Sequence, residues 1–81
     1  MYLRLETSDN FLQRINEALF NLFKVAPSIV FKNQVFYKIK HLDNKAIKVI
    51  AWIVEYYPET FIDISENMNI GGVDNGNGRF T

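Results

Sequence analysis

The chain has no cysteine. That excludes disulfides, thiolate nucleophiles and cysteine-ligated zinc together, and it fits a reducing, cytoplasmic setting. Histidine occurs once, at His41, so a histidine-rich metal site is excluded as well. Charge of either sign is lacking in excess: nine basic and nine acidic residues leave a formal net charge of +0. No global field then draws the chain to nucleic acid or to an anionic membrane, and no net repulsion keeps copies apart. No apolar run reaches the roughly 18 residues of a membrane-spanning helix. The start, Met1-Tyr2-Leu3-Arg4-Leu5-Glu6, lacks the basic and apolar segments of a signal peptide. A soluble intracellular protein with no membrane contact is the expectation.

What the chain does have is apolar surface. Hydrophobic residues make up 48% of its 81 residues and aromatics 15%, which argues for one packed domain rather than disorder. A chain of this length buries roughly 60–65% of its unfolded surface, enough to fold alone with modest stability.

Periodicity divides the chain. Met1 to Thr7 alternates, with Leu3 and Leu5 on one face and Tyr2, Arg4 and Glu6 on the other, as in a strand. Ser8 and Asp9 offer N-cap oxygens, and from Asn10 to Val25 the apolar residues Phe11, Leu12, Ile15, Ala18, Leu19, Leu22 and Phe23 form a helical stripe. Pro27 prevents its continuation. Ser28 to Lys32 and Gln34 to Lys40 are β-branched and aromatic, and Asn33 between them tolerates a left-handed turn. No Asn-Gly or Asp-Gly fixes the hairpin register. A three-residue loop would put Ile29, Phe31, Val35 and Tyr37 on one face, and a shift by one would exchange Ile29 and Phe31.

Asp43 to Tyr57 is a second helix, capped by Asp43 or Asn44 and stopped by Pro58, and it is apolar almost all the way round. Its main stripe is read through Ile47, Ile50, Ala51 and Val54, widened by Ala46, Val49, Ile53, Tyr56 and Tyr57. Trp52 then falls about 140° from Ile47, between Lys45 and Lys48 on the polar side. Thr60 to Ser65 alternates again, with Ile62 and Ile64 on one face.

The order strand, helix, strand, strand, helix, strand predicts an α+β fold: the ferredoxin-like split βαβ, a four-stranded antiparallel sheet with both helices on one face. Leu3, Leu5, Val35, Tyr37, Ile39, Ile62 and Ile64 are expected to face the helices. The core is expected to centre on Leu5, Ile15, Leu19, Leu22, Tyr37, Ile39, Ile47, Ile50, Val54 and Ile62. Residues 1–65 form the domain and 66–81 a Gly/Asn-rich C-terminal tail.

Four constellations bear on function. On the sheet face away from the helices, Tyr2, Arg4, Phe36, Lys38 and Lys40 resemble the stacking platform of single-strand nucleic-acid binders, with Phe61 and Asp63 beside them. The stretch from Asn33 to Lys40 lacks the glycine of the usual third-strand motif and supplies one outward aromatic instead of two. Trp52 and Phe20 lie off the helix stripes and Tyr56 follows Trp52 one turn later; all three are candidate protein-interface residues, since aromatics are enriched at interface hot spots. His41 sits at a strand end with no nucleophile motif, and Glu55, Glu59, Asp63 and Glu66 match no acid–base or cation spacing. Asn75-Gly76-Asn77-Gly78 resembles part of a calcium loop, but Val73 would stand at its first ligand position.

The sequence therefore predicts no catalytic residue, no metal and no cofactor. The expected function is a small non-enzymatic protein–protein interaction module, a regulator, adaptor or inhibitor of a larger protein, that self-associates. The alternative is a single-stranded nucleic-acid-binding domain using the open sheet face.

Overall fold

The computed structural model describes residues 1–66. The expected tail, Glu66 aside, lies outside the described residues. The elements are β1 (Tyr2–Glu6), α1 (Asp9–Phe23), β2 (Ile29–Phe31), β3 (Gln34–Lys38), α2 (Asn44–Tyr56) and β4 (Phe61–Ser65). All neighbouring strands are antiparallel, in the order β2-β3-β1-β4. This is the ferredoxin-like layout, with β1 and β3 central.

Side chains that can accept from backbone N–H groups set where the helices begin. The Ser8 hydroxyl accepts from the Phe11 N–H at 3.3 Å, and an Asp43 carboxylate oxygen accepts from the Ala46 N–H at 2.9 Å. Each satisfies one of the otherwise orphaned N–H groups of a first turn. α1 ends without glycine. Lys24 takes the left-handed conformation at φ 59°, and its N–H donates to the Phe20 carbonyl at 3.0 Å. α2 ends as the chain approaches Pro58, with Tyr57 at its cap and the Thr60 N–H donating to the Tyr57 carbonyl at 3.0 Å.

Both helices cover the same sheet face. Leu3, Leu5, Val35 and Tyr37 from the central strands pack with Leu12, Ile15 and Leu19 of α1 and Val49 and Ile53 of α2. Ile39, Ile62 and Ile64 complete this face as half-buried residues. The Tyr37 hydroxyl donates to the Asn16 side-chain oxygen, tying β3 to α1 across the core. The start of α1 meets the end of α2, where the Phe11 and Tyr57 rings lie 5.5 Å apart, so the helices run antiparallel.

The structure decides the hairpin register, which the sequence leaves open, and corrects one expectation, the phase of the helices. The hairpin turn is two residues, Lys32 and Asn33, because Phe31 pairs with Gln34, Val30 with Val35 and Ile29 with Phe36. Val30 therefore shares the helix face with Val35, while Ile29 and Phe31 go to the other side. Lys32, not Asn33, takes the left-handed position, at φ 50°.

The correction concerns the helix phases. Ile47 and Val54, expected in the core, are 54% and 53% exposed, and Leu22 is exposed at the end of α1. α2 instead buries Ala46, Val49 and Ile53, a face turned by roughly one residue, or 100°. This rotation moves Trp52 from the expected polar side to a half-buried position against the core, in ring contact with Tyr57 at 5.8 Å. An indole removes more apolar area from water than the side chain of Ile47 or Val54, so the rotated packing is favoured.

A non-glycine residue in the left-handed region is strained by its Cβ. Lys24→Gly should raise stability by about 0.5–1 kcal/mol. Urea denaturation would show this as a higher midpoint; a lower one would mean that the Lys24 ammonium over the Phe20 ring, at 5.9 Å, outweighs the relief of strain.

Candidate functional site

The open sheet face is built from transverse rows. Ile29, Phe36, Arg4 and Asp63 form one, each paired with the next across the strands. Phe31, Gln34, Glu6 and Phe61 form the row beside it, and Tyr2 lies between Lys38 and Ser65 in another. Pairing thus brings Tyr2, Arg4, Phe36 and Lys38 together as expected. Lys40 falls beyond the end of β3.

The chemistry of this face differs from a stacking platform. Phe36 is 0% exposed, with the Tyr2 ring edge-on at 6.5 Å, so it presents no open face to a base. The Arg4 guanidinium lies 3.2 Å from a Glu6 carboxylate oxygen, 3.5 Å from Asp63 and 5.1 Å above the Phe61 ring. Its side chain is only 18% exposed. A cation held by two carboxylates and a ring must give up those contacts before it can meet a phosphate.

The candidate interface aromatics separate. Trp52 and Tyr56 belong to one cluster at the end of α2, with ring centroids 5.1 Å apart, and the cluster continues through Tyr57 to Phe11. Tyr56 is its exposed member. Phe20 lies elsewhere, exposed near the end of α1 beneath Lys24. Trp52 contributes to the fold by packing against the core, whatever else it touches.

Sequence reasoning placed a further surface in the core. Ile47, Ala51 and Val54 recur at helical spacing along the flank of α2 that the sheet does not cover, and all three are exposed. The signal was visible in the apolar circumference of this helix. What periodicity could not supply was which of two apolar faces the sheet would take.

One titratable group is strongly perturbed among the described residues. Burial pushes the Tyr37 phenol well above its ordinary range. No group of three or more acidic, histidine or cysteine residues placed to hold a metal ion occurs among the described residues, and no helix there is long and apolar enough to cross a membrane. No protein-family model, characterised protein or solved structure matches this chain.

The Tyr37 hydroxyl favours the protonated form in the fold, whereas in the unfolded chain a phenol ionises near about pH 10. A raised folded pKa contributes stability that is full below the unfolded value and is lost as pH rises past it. Tyr37→Phe should therefore be less stable than the parent by about 1 kcal/mol at neutral pH, the hydrogen bond to Asn16 being absent. The gap should close at about pH 11, read by urea denaturation of both proteins. A gap constant with pH would mean that Tyr37 ionises as readily folded as unfolded.

Proposed function

We propose that the protein is a small non-enzymatic interaction module that self-associates through the uncovered flank of α2, acting as a regulator, adaptor or inhibitor of a larger protein. The observation that carries this reading is the exposed stripe Ile47-Ala51-Val54, on a helix whose opposite face already fills the core. A helix apolar around its circumference is favoured where a second surface covers it. The formal net charge of +0 adds no repulsion between copies. The buried Tyr37 hydroxyl, bonded to Asn16, reads as part of the packing rather than as an acid or base.

The nucleic-acid reading draws less support. Its central aromatic, Phe36, is enclosed, and its central cation, Arg4, is already held by Glu6 and Asp63.

Sedimentation velocity at about 1 M salt, where charge contacts are screened, isolates the apolar flank. The parent should show concentration-dependent association. Val54→Glu should weaken it about thirtyfold or more, the effect of losing an interface anchor, while the far-ultraviolet circular dichroism stays unchanged. Trp52→Ala should behave differently and lower the stability of the monomer itself, by about 2 kcal/mol or more. A parent that stays monomeric at every concentration overturns the reading, and an oligonucleotide that shifts the sedimentation at low salt would favour the nucleic-acid alternative.

A further inference from the structure

The formal net charge of +0 hides an uneven placement of charge among the described residues. Strand pairing fixes two ends of the molecule. At one end lie Glu6, paired with Gln34 and Phe61, the start of α1 and the end of α2. The opposite end holds Lys38, paired with Tyr2, together with the end of α1 and the start of α2. The first end carries Glu6, Asp9, Glu55 and Glu59, opposed by Lys32 in the hairpin turn, by Arg14 in the first half of α1 and by Arg4, which is paired with Glu6. The second carries Lys24, Lys38, Lys40, Lys45 and Lys48, opposed by Asp43 and Glu66. All five of these lysines are exposed.

The dipole of α1 accounts for Asp9 at its start and Lys24 at its end, but that of α2 does not account for the charges within it. A helix favours anions near its start and cations near its end. α2 has no acid in its first turn, where Lys45 sits, and no base in its last turn, where Glu55 sits. Asp43 at its N-cap lies with the dipole, whereas Lys45, Lys48 and Glu55 run against it.

Each end also has a concave feature. The basic end contains a cavity of about 220 Å³, floored by Leu3, Ile39, Ala46 and Val49 and edged by Lys40 and Lys45. The acidic end presents the exposed Tyr56 ring, which lines a shallow depression together with Glu59.

We propose that copies of this chain associate head to tail, the acidic end of one molecule against the basic end of the next, with Tyr56 entering the cavity and Glu55 and Glu59 meeting Lys40 and Lys45. This contact is separate from the α2 flank, and it deepens the self-association proposed above by adding a second, directional interface. A head-to-tail contact joins different surfaces, so it closes into rings or continues as open chains rather than stopping at a symmetric pair. Complementary ends also speed encounter and select orientation.

The experiment uses the full chain with Val54→Glu, which removes the flank contact, at low and at high salt. Two reversed forms are made in that background: Lys40→Glu with Lys45→Glu, and Glu55→Lys with Glu59→Lys. Sedimentation velocity should show low-salt association of the Val54→Glu chain that disappears at high salt. Each reversed form alone should associate at least about tenfold more weakly, and an equimolar mixture of the two should recover association, because each then offers the end that the other needs. Tyr56→Ala should also weaken it, with its fold checked by circular dichroism. The proposal is overturned by folded reversed forms that associate as the Val54→Glu chain does, by a mixture that fails to recover, or by association insensitive to salt. If Val54→Glu alone abolishes association at low salt, the head-to-tail contact falls and the flank reading stands. If it changes association at neither salt while the reversals do, the flank reading falls and this contact stands.

Discussion

Strand β1 is hydrogen-bonded along both edges, and the rest of the structure hangs on that double pairing. Every residue from Tyr2 to Glu6 has a partner in β3 and another in β4. Leu3 and Leu5 thereby lie at the centre of the face that both helices cover, at 1% and 0% exposure. The same register sets Arg4 beside Phe36 on one side and Asp63 on the other, which decides the character of the opposite face. A slip of one residue would send Leu3 and Leu5 to that opposite face and bring Arg4 under the helices, where an unpaired guanidinium is costly to bury. One five-residue segment thus specifies core and surface together.

The other decisive element is α2, because it has more apolar surface than the sheet can use. Its sequence offers the sheet more than one apolar face. The aromatic cluster favours one of them. With Ala46, Val49 and Ile53 inward, Trp52 reaches Tyr57, and Tyr57 reaches Phe11 at the start of α1. The helices are then joined at that end by aromatic rings as well as by the aliphatic core. The consequence is the uncovered stripe of Ile47, Ala51 and Val54, a by-product of the best internal packing and the surface on which the proposed function rests.

The sequence made some of this legible and not the rest, for physical reasons. Strand alternation in β1 and β4 was readable because one face of each is apolar and the other is not. The helix boundaries were readable because Ser8 and Asp43 are good caps and Pro58 ends α2. The phase of α2 was hidden because periodicity reports where apolar residues lie, not which of two apolar faces finds a partner. The hairpin turn was hidden because Lys32, which has no intrinsic preference for the left-handed region, adopts it to close a two-residue loop. The enclosure of Phe36 belongs to the same class: alternation gave its side of the sheet correctly, but not the neighbours that shut it off from water.

The double pairing of β1 also separates the local contacts of the fold from the distant ones. The β2–β3 hairpin and the two helices form from neighbours in the chain, so little entropy opposes them. The pairing of Leu5 with Ile62 and of Leu3 with Ile64 needs segments from opposite ends of the described chain to find one another. The central strand therefore owes both of its neighbours to segments distant in the chain, β4 farther than β3. The two edges of the sheet are held unequally: β2 pairs with β3 through three residues, Ile29, Val30 and Phe31, whereas β4 pairs with β1 through five. Detachment of an edge strand is then easiest at β2, where it exposes the outer edge of β3 and leaves β1 paired on both sides.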